Sequence, residues 1–438
     1  MMKFAKLKTF LFITRGPVLV AIAIALATLV PQAKAHIRLN TSYPAVLCPS
    51  VLGSGERISL PTQGLSAGLV AGKSVTLHGQ KSVVLRGSSA PTFVSGNPGS
   101  EIAFESVAGN GTADVVCDVG GADEWFIGGS GSVTSQGILQ IINSGLSDST
   151  VQVVPYGSKG VLAPIVLTIK ANSSKNLKLA SIAPGESSMA LHVITESGRV
   201  TSFMLDHRVN GLSDLGSSFV TSVESPAATS YLAGLFGNAT KATTTLRFLV
   251  PGNINANVHL SLYSGGGTFT PLGFDAYTVQ HQKVIDVTLP HISLSTPYGI
   301  QISSDQPLFA SALTRTSTGS ADFAWANQLT PLSNFKVNLA GASAQFLFVG
   351  SAPAVRAHWI DSHGKAQDMV ISGDTSAAWH PVGALNGITF TVLTKNPVYA
   401  GALVSNIDGG LNYLPLRPNQ LVSRAHAPEE DIRTLARH

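Results

Sequence analysis

The sequence predicts an all-β chain: tandem immunoglobulin-like β-sandwich repeats preceded by a disulfide-linked, Gly/Ser-rich β region. Three observations carry this. Helical periodicity is almost absent. Short runs of β-formers recur about every ten residues, bounded by Gly, Pro, Asn and Ser. A long pattern also repeats: Val151 to Gly160, Val258 to Gly267 and Val355 to Gly364 each run from a Val-led strand to a glycine turn, with starts 107 and 97 residues apart. Such a period is too long for a propeller blade or a solenoid repeat and suits a sandwich of about 100 residues.

The elements follow in order. Residues 1–35 read as a secretory signal. Lys3, Lys6, Lys8 and Arg15 precede an apolar run, Pro17 to Val30, and Ala33-Lys34-Ala35 fits the small-x-small cleavage rule. The run is short of the roughly 20 residues that span a bilayer; an uncleaved N-terminal anchor is the alternative. Residues 36–122 form the N-terminal β region. Cys48 and Cys117 are its two cysteines, and outside the cytosol such a pair closes a disulfide.

The sandwiches are assigned to 123–211, 236–316 and 323–416. Their strands include Ile138 to Ile142, Val151 to Pro155, Leu191 to Thr195, Leu246 to Val250, Val284 to Leu289, Phe346 to Val349 and Ile388 to Leu393. Pro307 to Leu313 (PLFASAL) and Pro397 to Leu403 (PVYAGAL) sit at matching places near the ends of their units. Arg199 to Leu205 holds that place more loosely in the first sandwich. Ser213 to Gly234 and Ser317 to Asp322 are read as linkers between units arranged as a rod, and 417–438 as a polar tail.

Charge narrows the function. Charged residues are 12% of the chain, against roughly a quarter in an ordinary soluble domain, so Ser, Thr, Asn, Gln and Gly make the surface. The net charge of +4 reflects the leader. Removing its five basic residues leaves 23 Lys and Arg against 24 acids. No basic cluster remains to displace counterions from phosphates, which argues against nucleic-acid partners.

The layout resembles an uncharacterised secreted family of actinobacteria, known only as a domain of unknown function. The features that carry the resemblance are Cys48-Pro49, a second Cys ahead of the first sandwich, Trp125-Phe126-Ile127-Gly128-Gly129, the Tyr156-Gly157 and Pro251-Gly252 turns, and Phe323-Ala324-Trp325. The resemblance implies an exported envelope protein and assigns no catalytic residues.

Several segments invite a chemical reading. Gly64-Leu65-Ser66-Ala67-Gly68 spells a nucleophile elbow, but strand-like Val75 to Leu77 follows where the elbow needs a helix. Gly68 to Ser74 (GLVAGKS) is one residue short of a phosphate loop and reads as a turn. His358, Asp361 and His363 lie on a strand and its turn and lack a fourth metal ligand. Cleavage after Ala35 would make His36 the mature N-terminus. There its amine and ring could hold copper, with His78 as partner, as in the lytic polysaccharide monooxygenases that such a site resembles. Trp125, Trp325, Trp359 and Trp379 are candidates for stacking on sugars, Trp359 foremost. Asp206-His207-Arg208 reads as a solvated strand end.

The reading favoured is a non-enzymatic binding or scaffolding protein, secreted or associated with the cell envelope, with no cofactor. Its expected partners are an envelope polymer or envelope proteins, and it meets a membrane only through an uncleaved N-terminus. The competing readings are a polysaccharide-active enzyme with copper at His36 and a membrane-anchored accessory subunit of an envelope-synthesis complex.

Overall fold

The computed structural model describes residues 45–418, except 51–54, 60–65, 73, 77–82, 86–89, 96–102, 109–110, 238–241, 266, 291–293, 295–296, 317–321, 338–342, 362, 382–386 and 406–410. The signal segment 1–35, His36 and residues 419–438 of the tail lie outside the described residues. Among the described residues every regular element is a strand but for one helical turn.

The N-terminal region contains β1 (Ala45–Cys48), β2 (Gly55–Ser59), β3 (Ser66–Leu69), β4 (Ser74–Thr76), β5 (Val83–Leu85), β6 (Thr92–Ser95), β7 (Ala103–Ala108) and β8 (Gly111–Val116). They form two sheets, β1-β6-β3-β4 and β5-β2-β7-β8. Cys48 and Cys117 are joined by a disulfide that ties the end of β1 to the residue after β8.

The next set is β9 (Asp123–Ile127), β10 (Ile138–Asn143), β11 (Ser149–Gly157), β12 (Gly160–Val161), β13 (Ile165–Ile169), β14 (Ser173–Lys178), the turn α1 (Leu179–Ile182), β15 (Met189–Ser197), β16 (Thr201–Asn210) and β17 (Ser213–Val220). One sheet runs β14-β10-β16-β17. In the other, β9, β15 and β11 lie in that order and β11 carries β12 and β13 along its far edge.

A third set follows: β18 (Ala227–Leu235), β19 (Ala242–Leu249), β20 (Ala256–Ser264), β21 (Gly267–Phe269), β22 (Tyr277–Val279), β23 (Val284–Thr288), β24 (Tyr298–Thr316) and β25 (Phe323–Asn327). The 19-residue β24 serves both layers. Its first half pairs with β18 and β20, its second with β19 and β25. The last set is β26 (Phe335–Val337), β27 (Ser343–Gly350), β28 (Ala354–Ile360), β29 (Ala366–Ser372), β30 (Ser376–Trp379), β31 (Ile388–Val392), β32 (Val398–Ser405) and β33 (Leu411–Pro415), in sheets β26-β31-β28-β29 and β30-β27-β32-β33.

The strand order is the same in all four sets, the N-terminal region included. Numbering eight positions within each, positions 1, 6, 3 and 4 make one layer and 5, 2, 7 and 8 the other. The Val-led segments all fall on position 3 (β11, β20, β28), and PLFASAL and PVYAGAL both fall on position 7. The order departs from that of an immunoglobulin domain, whose last strand lies beside strand F in the layer that also holds C. Here position 7 leaves position 6 for the opposite layer, and in β24 the crossing is continuous.

Two expected boundaries move. Ser213 to Gly234, read as a linker, holds β17 and most of β18. Phe323-Ala324-Trp325, expected to open a sandwich, is β25 and closes the preceding sheet. Alternation marks a strand but does not say which sheet it joins.

In the last three sandwiches the layer that holds positions 2 and 7 is largely buried on both faces, which explains its near-continuous apolar runs. In β10, Leu139 and Ile141 enter their own core, while Ile138 and Ile142 join the core of the N-terminal sandwich with Phe104 and Val115. In β27, Phe346 and Phe348 point inward, while Leu347 and Val349 pack into the third sandwich. The last contact closes the series: Val116 of β8 packs against the core of the fourth sandwich. Accordingly β8 lies against β17, β17 against β25, β25 against β33, and β33 against β8. The four sandwiches therefore form a closed ring of contacts, not the open rod that tandem domains suggest.

Candidate functional site

At the junction of the second and third sandwiches, strand β16 carries Asp206 and Arg208, and the β24–β25 hairpin carries Arg315, Thr316, Asp322, Phe323 and Trp325. Asp206 is fully buried. Its Oδ2 accepts from Arg208 Nη2 at 2.7 Å and from the Trp325 indole Nε1 at 2.9 Å. Trp325 Nε1–H thus reaches across from the neighbouring sandwich to neutralise nothing, but it fixes the carboxylate that neutralises Arg208. Charge-assisted bonds of this kind are short and strong.

Two further arginines complete the junction. Arg247, 1% exposed, forks onto Asp286 at 2.7 and 2.8 Å and donates Nη1 to the carbonyls of Gly129 and Met189. Its guanidinium lies 4.8 Å from the Trp325 ring centroid, on the cation–π scale. Asp286 is held below the usual carboxylate range by Arg247, against the opposing effect of burial. The third guanidinium is Arg315, the cross-strand partner of Phe323. Phe323 in turn carries the Arg208 guanidinium over its ring at 5.0 Å.

Thr134, Arg208, Leu215, Arg315, Thr316, Asp322 and Phe323 line a cleft of about 320 Å³. That is the small end of the range for small-molecule sites. Arg315 is exposed along the cleft, yet the cleft walls desolvate its guanidinium, and with Arg208 nearby they hold its pKa below the usual arginine value. Asp322 is buried and already engaged. Its Oδ1 accepts from Phe323 N and its Oδ2 from Leu411 N of the fourth sandwich, both at 2.8 Å. Burial, with Asp214 nearby, pushes its carboxyl up to about 6. Thr316 Oγ1 is spent on the Asp322 backbone.

The structure disposes of the other candidates differently. Asp206-His207-Arg208 is no solvated strand end: β16 is an inner strand of its sheet and β25 covers it. Trp325 and Trp379 are buried, and Trp125 is packed between His192 and Phe309, at centroid distances of 3.7 and 4.6 Å. Trp359 is half-buried against Trp379. Asp361 caps its own turn, accepting from His363 N and Lys365 N, and His358 pairs with Asp368 at 3.0 Å. Among the described residues no group of three His, Cys, Asp or Glu could hold a metal ion. Ser66 opens β3, and β3 and β4 form a hairpin where the elbow and phosphate-loop patterns would need a helix. His36 and His78 lie outside the described residues. No described helix is long and apolar enough to cross a membrane.

A family model described as "Family of unknown function (DUF5719)" matches residues 74–381. No curated protein matches the chain. A solved structure, "Crystal structure of tetra-tandem repeat in extending region of large adhesion protein", aligns over 88% of this chain and 97% of its own at 13% identity. Its TM-score of 0.12 is too low to carry an argument about fold.

Proposed function

The chain belongs to the family of unknown function DUF5719, and from that premise we propose that it is an exported, non-enzymatic binding or scaffolding protein whose recognition site is the cleft between its second and third sandwiches. The observation that carries the reading is Arg315, a guanidinium left over in a cleft whose other ionised groups are already paired or hydrogen-bonded. Asp322 spends its carboxylate oxygens on backbone N–H groups of two sandwiches, and Thr316 spends its hydroxyl on Asp322. Such groups hold a shape and offer donors; they are not arranged as a nucleophile with its base.

Export rests on the leader pattern, and the Cys48–Cys117 bond supports it, since such bonds persist in oxidising compartments. A scaffold role is supported by the closed ring, which fixes the loops of four sandwiches in one rigid frame. Loops on rigid scaffolds are where recognition residues concentrate.

The test fills the cleft. Leu215→Trp places a large ring where a half-buried leucine lines the cavity. Purified protein is incubated with the insoluble polysaccharide fraction of the envelope and sedimented. The wild type co-sediments and the variant, folded by circular dichroism, does not. Equal co-sedimentation of both, or release of new reducing ends by the wild type, would overturn the reading.

A further inference from the structure

We infer that the cleft selects an oxyanion, a carboxylate or a phosphate carried on a monosaccharide-sized ligand, and that Arg315 is the residue that contacts it. This rests on the binding reading above and adds the chemical class of the ligand.

The junction gathers three guanidinium groups with the carboxylates of Asp206, Asp286 and Asp322, and two of the three arginines are paired. Asp206 pairs with Arg208 and Asp286 with Arg247. The Arg315 guanidinium makes no hydrogen bond or ion pair with any described residue. Asp322 makes no ion pair with it; its two oxygens accept instead from backbone N–H groups of β25 and β33. The Arg315 guanidinium therefore lines the cleft without an ion-pair partner among the described residues. Arg208 adds to it: Nε and Nη2 are spent on Asp206, while Nη1 has no acceptor among the described residues. A guanidinium presents its donors as a planar fork that matches the two oxygens of a carboxylate or phosphate.

The placement makes the charge effective. Arg315 and Phe323 are directly opposed across β24 and β25, and the Phe323 ring supports Arg208. Phe323 thus ties the two arginines to one place: its ring carries Arg208 and its backbone pairs with Arg315. In a partly desolvated cleft, like charges held together repel each other and an anion between them relieves both desolvation and repulsion. The half-buried Leu215 gives apolar area for the ligand's carbon skeleton. A cleft of about 320 Å³ admits one sugar ring, near the lower bound of pockets that hold small molecules.

Calorimetric titration of the purified protein with glucuronate, glucose 6-phosphate and glucose, at one ionic strength, tests this. The charged sugars bind at least tenfold more tightly than glucose. Arg315→Gln removes that difference, and Arg315→Lys keeps part of it. The better binder of the two charged sugars identifies the carboxylate or the phosphate as the source. Glucose binding as tightly as both, with no change in Arg315→Gln, would overturn the anion assignment while leaving the binding site standing. Should no sugar bind although Leu215→Trp still abolishes envelope co-sedimentation, the inferred ligand class is wrong and the site reading survives. Should neither effect appear, both fall.

Discussion

Asn412 donates its side-chain amide to the hydroxyl of Thr112 at 2.9 Å, across 300 positions of the chain, and both residues are buried. The bond joins β33 of the last sandwich to β8 of the first and closes the ring. Arg417 reinforces it, reaching Asp118 Oδ2 at 3.1 Å and the Ser222 carbonyl at 3.2 Å. One side chain of the fourth sandwich thus holds the ends of both the first and the second.

Opening this closure has a local signature. Asn412→Ala with Arg417→Ala removes three hydrogen bonds, one of them from a buried donor, at a cost of about 2–4 kcal/mol. Amide hydrogen exchange speeds in β8 and β33 and stays slow in β20, whose pairing lies wholly within the third sandwich. Uniform acceleration throughout the chain would show that closure is part of one global unit.

The junction carboxylate is the costliest single group to remove. Asp206→Ala leaves the half-buried Arg208 without its counter-ion and the buried Trp325 indole N–H without an acceptor. A broken buried pair costs about 3–5 kcal/mol. Chemical denaturation checks it. Asp206→Asn retains an acceptor for Trp325 and recovers part of the stability.

Asp322 makes stability depend on pH in an unusual direction. Its folded value is about 6, above the ~3.9 of an unfolded aspartate. Between those values the folded protein holds a proton that the unfolded chain has released. The stabilisation is therefore complete below about pH 4 and is lost as pH rises through about 6, by on the order of 3 kcal/mol. The difference in unfolding free energy between wild type and Asp322→Asn, measured from pH 4 to pH 7, falls by that order. A flat difference would show that Asp322 titrates normally.

Gly216 is where strand β17 approaches Asp322. Its φ is +101°, and a Cβ there would lie 2.9 Å from the Asp322 Cα. Gly216→Ala meets both a strained backbone and a clash, and destabilises by about 2–4 kcal/mol. Its thermal midpoint falls by several degrees, while Gly211→Ala, at a φ of +60° with nothing within 4 Å, costs about 1 kcal/mol.

Much of the fold was legible in the residues. The strands were, because alternation and turn residues are local signals. The Cys48–Cys117 pair was, because two cysteines leave one pairing. The Val-led and PLFASAL-type segments marked equivalent strands, because a side chain's inward or outward position is set by its own strand. The site was not. Asp206 and Arg208 look like an exposed charged end until β25 arrives 119 positions later to place Trp325 on them. Ile138 and Ile142 read as strand, and nothing nearby says that their partner is Phe104 of another sandwich.

Sequence alone determined that this chain is built of strands, where most of them run, and which cysteines join. Only the tertiary structure decided that the N-terminal region is a fourth sandwich, that the four close on themselves, and that three arginines gather at one junction. The division has a physical cause. Whether a residue prefers a pleated, half-buried position is written in its own chemistry and its neighbours' spacing. Which surface covers it depends on complementarity between segments hundreds of residues apart, and only the folded chain brings those together.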